Sequence, residues 1–369
     1  MKRLKTPLQI LSIILVFGFS AAELTSQNLT GFDTNTEKKS IDLKELIDGG
    51  PGKDGIPAIN NPKFVSQEQA SGWIGDKEPV IALEIDGEAR AYPIQILIWH
   101  EIVNDELSGV PVLVTFCPLC YSAIVFDRHI SGEVHEFGVS GFLRHSDMIM
   151  FDRKTESLWQ QFSGEALVGD YTGKELTILP SQLISFEQFR EAYPGAKVLS
   201  KDTGHRRNYG DNPYAGYDDI NNSPFLMREE VPDKIRPMEK IVGVRTEGEN
   251  VGYTYTFTRG KVVYNDEAGG EPIVVFHVEG MTSALDDREI RNSRDDGATG
   301  VFSRRLNGKI LDFEFTNNTI RDIKTQSEWD ITGKAVRGEL EGEQLSPVLF
   351  GDYFAFAWLV FYPESRIVE

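Results

Sequence analysis

Short apolar runs alternate with polar turns along most of the chain, which is the pattern of β-strands joined by hairpins. An Asp86-Gly87 pair separates two of these runs and predicts a tight hairpin turn. We therefore expect a mainly β chain rather than a regular alternation of strands and helices. The predicted strands are Val80–Ile85, Ala89–Tyr92, Ile94–Val103, Val112–Phe116, Tyr121–Phe126, Val134–Val139 and Met148–Phe151.

The sequence carries few helix signals, and the strongest of them is a capping box. Ser185 and Gln188 supply its two side chains, and the helix is predicted to end at Tyr193, just before Pro194. A shorter helical candidate lies over Asp42–Ile47. The fold class that follows is mainly β, a β-rich α+β protein with short helices.

A second pattern is an internal repeat. Residues 80–126 align without a gap with residues 241–287, and the shared residues are mostly glycines, prolines and turn residues. The sequence therefore predicts two tandem homologous β-rich units, each closing with a short helix. Chance similarity between two β-rich segments is the competing explanation. The predicted boundaries are 55–200 for the first unit, 201–240 for a connector, and 241–369 for the second, degenerate unit.

The N-terminus has the three parts of a secretory signal peptide. Lys2, Arg3 and Lys5 precede the apolar run Leu8–Phe19, which ends in the small residues Ser20-Ala21-Ala22. A membrane anchor is the alternative, but the run is shorter than the roughly 20 residues that span a bilayer. We therefore expect an extracytoplasmic protein, periplasmic or secreted. The expected segments are a signal peptide over 1–22 and a leader over 23–54.

The charge balance narrows the choice of partners. The chain has 57 acidic and 38 basic residues and a formal net charge of −19. Such a surface repels nucleic acid and anionic lipid. We expect no nucleic-acid partner and no membrane insertion after the signal is cleaved.

The candidate chemistry lies in one turn. Cys117 and Cys120 are the only cysteines, and they bound a Cys-Pro-Leu-Cys turn between two predicted strands. Two thiols at this spacing can form a disulfide, exchange electrons, or bind a soft metal. A strand follows the turn, whereas thioredoxin-like proteins place such a pair at a helix N-terminus, so a thioredoxin-like fold is not expected.

The repeat assigns the reactive side chains to the first unit. The residues that the second unit carries at the aligned positions are apolar or lack the same chemistry. The aligned pairs are Cys117 with Val278, Cys120 with Met281, His100 with Lys261, and Glu101 with Val262.

Two hypotheses for the first unit remain open. The first hypothesis has two versions. In the redox version, Cys117 and Cys120 are catalytic thiols that exchange with a protein thiol or disulfide. In the metal version, Cys117 and Cys120 bind copper or zinc together with His100 and Glu101, and a metal donor delivers the ion. In the second hypothesis, the two cysteines form a structural disulfide in a non-catalytic extracytoplasmic binding or scaffold protein. His145 is a weaker candidate for the same site.

Several motifs together resemble a known family. They are Asp54-Gly-Ile-Pro57, Arg90-Ala-Tyr-Pro93, Trp99-His-Glu-Ile-Val-Asn-Asp105, Phe116-Cys-Pro-Leu-Cys120 and Met150-Phe-Asp-Arg-Lys-Thr-Glu-Ser-Leu-Trp159. The chain resembles the prokaryotic domain-of-unknown-function family 3179 over most of residues 54–220 and, more weakly, over the second copy. The resemblance implies that the Trp-His-Glu and Cys-Pro-Leu-Cys motifs belong to one module, and it implies no particular activity.

Overall fold

The computed structural model describes residue 29 and residues 31–369. The predicted signal peptide over 1–22 therefore lies outside the described residues. The chain is mainly β, as predicted, with several antiparallel sheets and a few short helices. Among the described residues, no helix is long and apolar enough to cross a membrane.

The first half of the chain contains sixteen strands and three α-helices. The strands are β1 (Ile47–Asp48), β2 (Phe64–Ser66), β3 (Pro79–Ile85), β4 (Glu88–Pro93), β5 (Ile102–Leu107), β6 (Val110–Cys117), β7 (Ser122–Asp127), β8 (His129–Ile130), β9 (Glu133–Val134), β10 (Phe137–Arg144), β11 (Asp147–Asp152), β12 (Leu158–Gln160), β13 (Ala166–Val168), β14 (Ile178–Leu179), β15 (Gln182–Ser185) and β16 (Lys197–Leu199). The helices are α1 (Gln67–Ala70), α2 (Ile94–His100) and α3 (Phe186–Ala192), and a 3-10 turn spans Leu43–Glu45.

The second half contains thirteen strands and two α-helices. The strands are β17 (Lys240–Arg245), β18 (Asn250–Thr254), β19 (Val263–Ala268), β20 (Glu271–Val278), β21 (Ala298–Ser303), β22 (Arg305–Leu306), β23 (Lys309–Ile310), β24 (Phe313–Thr316), β25 (Thr319–Asp322), β26 (Glu328–Trp329), β27 (Ala335–Arg337), β28 (Phe350–Phe354) and β29 (Arg366–Val368). The helices are α4 (Tyr255–Lys261) and α5 (Ala355–Phe361), and a 3-10 turn spans Ile290–Asn292.

The helix predictions had mixed outcomes. The capping box is present, because the Ser185 hydroxyl accepts from the Gln188 amide and the Gln188 side chain accepts from the Ser185 amide. The predicted strand over Ile94–Val103 is wrong in its first seven residues, which form α2. Nearly every side chain of α2 is buried, so the helix shows no polar face in the sequence, and its β-branched residues imitate a strand.

The two halves present their elements in the same order. In each, an antiparallel hairpin (β3–β4 or β17–β18) leads into a seven-residue helix and then a second hairpin (β5–β6 or β19–β20). Each of these helices ends at a residue with a positive φ, Glu101 in the first half and Val262 in the second. These are correspondences of local structure, and the descent of both halves from one repeated unit stays a prediction.

The sheet that carries the candidate site is covered by the leader. Strand β11 lies in the order β1-β10-β11-β12-β13, and one face of this sheet packs against Leu29, Leu43 and Leu46. The apolar side chains on that face include Ile149 and Leu158. The leader therefore completes the packing around β11.

Candidate functional site

The Cys-Pro-Leu-Cys turn connects two central strands of a four-stranded sheet. Strand β6 pairs with β5 on one side and β7 on the other, and Cys117 pairs with Ser122 where the turn closes. The amide of Tyr121 donates to the Pro118 carbonyl at 3.3 Å. Both cysteines are buried free thiols. The hairpin therefore fixes the two sulfur atoms on the same side of a short turn.

A carboxylate from another sheet joins the two thiols. The Sγ atoms of Cys117 and Cys120 and a carboxylate oxygen of Asp147 all lie within 4.8 Å of one another. All three residues are at most 1% exposed. Within residues 29 and 31–369, this is the one group of three or more His, Cys, Asp or Glu side chains close enough to share a metal ion.

One oxygen of Asp147 is fully engaged and the other is not. Oδ2 accepts from the Gln160 side-chain amide at 2.6 Å and from the Phe162 backbone amide at 3.0 Å. Oδ1 is buried and has no hydrogen-bond partner among the described residues. Burial raises the pKa of Asp147 to about 6, although the Gln160 and Phe162 donors and, more weakly, the nearby Cys120 and Cys117 thiols oppose the shift. Such an orphaned buried acceptor is costly unless another group satisfies it.

Burial also raises the pKa of both thiols, and that of Cys120 is well above its usual range. The Cys120 thiol donates to the Ser146 carbonyl at 3.4 Å. The low dielectric around the sulfur atoms disfavours thiolate, and nearby Asp147 disfavours it further. The pair is therefore in the opposite electrostatic state from a thiol activated for exchange.

Glu101 lies next to this group. Its backbone is left-handed, with φ at 57°, and its amide donates to the Leu97 carbonyl to end α2. Burial and the charge of Asp147 raise the pKa of its carboxyl to about 8, and Tyr214 contacts that carboxyl. The helix end thus directs an acidic side chain into the interior beside the thiols.

Four non-glycine residues around the site have positive φ values. Glu101, Tyr121, His145 and Ser146 all have φ between 55° and 62°. Non-glycine residues adopt this conformation at a cost, and such residues cluster at functional sites. The His145-Ser146 pair forms the turn between β10 and β11 and brings the Ser146 carbonyl and Asp147 to the cysteines.

His100 is positioned away from the thiol group. Its Nδ1 lies 2.7 Å from the Pro57 carbonyl and its Nε2 lies 2.7 Å from the Tyr209 hydroxyl. Both ring nitrogens are thus engaged elsewhere. The structure brings together Cys117 and Cys120 with Asp147, and His100 is not a member of that group.

The site is covered by elements that follow the first half of the chain. Tyr214 and Tyr217 lie in the stretch between β16 and β17 and approach Glu101 and Cys120, respectively. The Phe354 amide donates to the Cys120 carbonyl at 3.0 Å. These contacts bury the thiols.

The sequence reasoning missed Asp147. Its position within the polar Arg144–Asp147 stretch between two apolar strands indicates only a hairpin turn. The close approach to β6 depends on how two separate sheets pack, and no local pattern records that.

These features define a mainly β protein with a buried dithiol–carboxylate group. The chain belongs to the family described as protein of unknown function DUF3179, whose model matches residues 53–365. The resemblance noted from the sequence motifs is therefore confirmed. No curated protein matches the chain. No solved structure matches it either.

Proposed function

We propose that this DUF3179 protein binds a zinc ion with Cys117, Cys120 and Asp147. The observation that carries the proposal is the Asp147 Oδ1 atom, which is buried without a hydrogen-bond partner and lies beside two buried thiols. A dication bound there satisfies this oxygen. It also provides the positive charge that two buried thiolates require.

The ligand set favours zinc. Zinc binds thiolate sulfur and carboxylate oxygen together, whereas copper(I) prefers soft sulfur ligands. His100 would have made copper more competitive, but its two nitrogens contact Pro57 and Tyr209. Copper is therefore a competing outcome of the test rather than our proposal.

Three protein ligands leave one position of a tetrahedral zinc site open. We propose that Glu101 faces this position, because its buried carboxyl lies near both Cys117 and Asp147 and is contacted by Tyr214. A zinc ion with an open position supplies a Lewis acid, as in hydrolytic enzymes, whereas closure by Glu101 gives a structural site.

Thiol exchange is less well supported. An exchanging thiol needs solvent access and a lowered pKa, but Cys117 and Cys120 are buried and their pKa values are raised.

The export of the protein is a proposal from the N-terminal sequence. If that proposal holds, the metal donor is an extracytoplasmic source.

The experiment is elemental analysis with free-thiol counting on protein purified without chelator. We expect stoichiometric zinc in the wild type, none in Cys117→Ser or Cys120→Ser, and weakened binding in Asp147→Asn. Asp322→Asn is the matched control, because Asp322 is also a buried aspartate but lies in β25, outside the group. This control should retain zinc.

Other outcomes would contradict the proposal. Copper in place of zinc would refute the metal assignment. A wild-type protein that lacks metal and whose disulfide opens with mild dithiol would favour thiol exchange. A disulfide that opens only on unfolding would favour a scaffold protein.

A further inference from the structure

We propose that residues 209–218 form a lid that opens locally to admit a metal ion to the thiol group. We call this segment the lid. The identity of what enters rests on the proposed zinc site, but the opening itself does not. It can be measured on metal-free protein.

The lid belongs to a long stretch without regular structure. Residues 200–239, between β16 and β17, contain no helix or strand, apart from an isolated bridge between Asp211 and Glu289. Long irregular segments inside compact proteins are commonly lids or binding loops. They also open at lower free energy than sheets do, because they lack the continuous ladder of backbone hydrogen bonds that holds a sheet together.

The inner surface of the lid lies against the site. Tyr214 contacts the Glu101 carboxyl, and Tyr217 lies beside Ser146 and Cys120. The lid therefore forms part of the cover over Cys117 and Cys120, which are at most 1% exposed. A reagent therefore reaches the sulfur atoms only when the cover moves.

The lid is fastened along its length. The Tyr209 hydroxyl lies 2.7 Å from His100 Nε2. In its middle, the Asn212 amide donates to the Arg288 carbonyl at 2.7 Å and the Gly216 amide donates to the Leu285 carbonyl at 2.8 Å.

Two further attachments can be removed by substitution without touching the site. Near its start, the Trp99 indole donates to the Asp211 carbonyl at 3.1 Å. At its end, Asp218 accepts from Lys240 Nζ at 3.1 Å and from Arg294 at 2.6 Å, and it also accepts from the Ser283 hydroxyl. Asp218 thus makes the strongest polar attachment of the lid.

This attachment borders an open cleft, where Arg294 is exposed although Asp218 and Lys240 are buried. A cleft of about 530 Å³ is lined by Asp218, Lys240, Arg259, Arg294 and Asp296. Water in this cleft can solvate the charged groups when Asp218 leaves them. Release of the lid therefore does not require the adjoining sheets to unfold.

The test is the rate at which an excess of a small thiol reagent labels metal-free protein. Asp218→Asn weakens hydrogen bonds to charged groups, so we expect labelling at least about tenfold faster than in the wild type. Trp99→Phe removes one neutral hydrogen bond and should accelerate labelling by roughly threefold. The urea midpoint of unfolding should stay close to the wild-type value in Trp99→Phe.

The matched control is Asp286→Asn. Asp286 lines the same cleft and its carboxylate accepts from Arg294 at 2.7 Å. Its contact with the lid is through its backbone carbonyl, which accepts from the Gly216 amide and is unchanged by Asp286→Asn. This variant should label at the wild-type rate.

Two results would overturn the lid. One is unchanged labelling in both Asp218→Asn and Trp99→Phe. The other is labelling that follows the free energy of global unfolding across all variants, since the thiols would then react only in the unfolded chain. A confirmed lid on a protein that never binds zinc would refute the metal site and leave the lid intact.

Discussion

The turn after β6 and the loop after β20 differ sharply, although the strands before and after them pair alike. Cys117 pairs with Ser122 across the four residues 118–121, whereas Val278 pairs with Ala298 across the 19 residues 279–297. The ungapped sequence alignment runs past this point, so it pairs Cys120 with a loop residue rather than with a turn residue.

The two connections differ in the charged groups that they bury. The short turn leaves two thiols beside an unpartnered carboxylate oxygen. The long loop supplies Arg294 and Asp296, which join Lys240 and Asp218 in a buried charge network. Burial alone would lower the pKa of Lys240, but Asp296 and the other acceptors outweigh it and raise the pKa. In our proposal a bound metal ion supplies the positive charge at the first connection, whereas Lys240 and Arg294 supply it at the second.

The largest effect should follow from replacing Lys240, the buried cation of this charge network. Lys240→Met leaves two buried carboxylates short of a partner, and breaking such a network costs about 3–5 kcal/mol. Chemical unfolding measures the loss. Lys77→Met is the control, since Lys77 pairs with Asp295 at 58% side-chain exposure and should cost less than about 1 kcal/mol. Equal losses in the two variants would contradict the assigned network.

A smaller effect should appear in the pH dependence of stability. Burial lowers the pKa of His277 to about 4, and its ring contacts Thr258 and the Asp296 carbonyl. Between about pH 6.5 and 4 the unfolded chain binds the proton and the folded chain does not, so stability falls as the pH falls. The full loss is about 3 kcal/mol. The slope should become shallower in His277→Gln but not vanish, because burial also lowers the pKa of His100 to about 4, and it should keep its full size in His129→Gln, where the exposed His129 is replaced. An unchanged acid slope in His277→Gln would refute this role.

The smallest effect should be of similar size in the two halves, although the buried His135 ring lies 3.6 Å from Asp152. Asp152 accepts from Thr155 and from the Trp159 indole, and Asp322 accepts from the equivalent Thr325 and Trp329. Asp152→Asn and Asp322→Asn should each cost about 1–3 kcal/mol in thermal unfolding. Neither change should alter metal content. Unequal losses would show that the two turns differ in more than sequence.

The sequence predicts the parts of this fold that depend on local chemistry. The strands around Cys117 and the α3 capping box follow from short-range patterns, and both are present. Helix α2 could not be recognised, because an all-buried run shows no periodicity.

The candidate site was predictable only in part. The two cysteines are separated by only two residues, so their proximity in space follows from the sequence alone. Asp147 reaches them through the packing of one sheet on another. His100 was expected beside them by strand order, but the helix directs its ring to Pro57 and Tyr209.

The most direct test of the central claim is a cobalt(II) titration of metal-free protein, followed by absorbance, because cobalt(II) replaces zinc and reports its ligands. We predict one saturating step with thiolate-to-metal absorption in the wild type and in Asp322→Asn. That absorption should be absent in Cys117→Ser and weakened in Asp147→Asn. A wild-type protein without thiolate absorption, or a Cys117→Ser variant that keeps it unchanged, would contradict a metal site at the first turn.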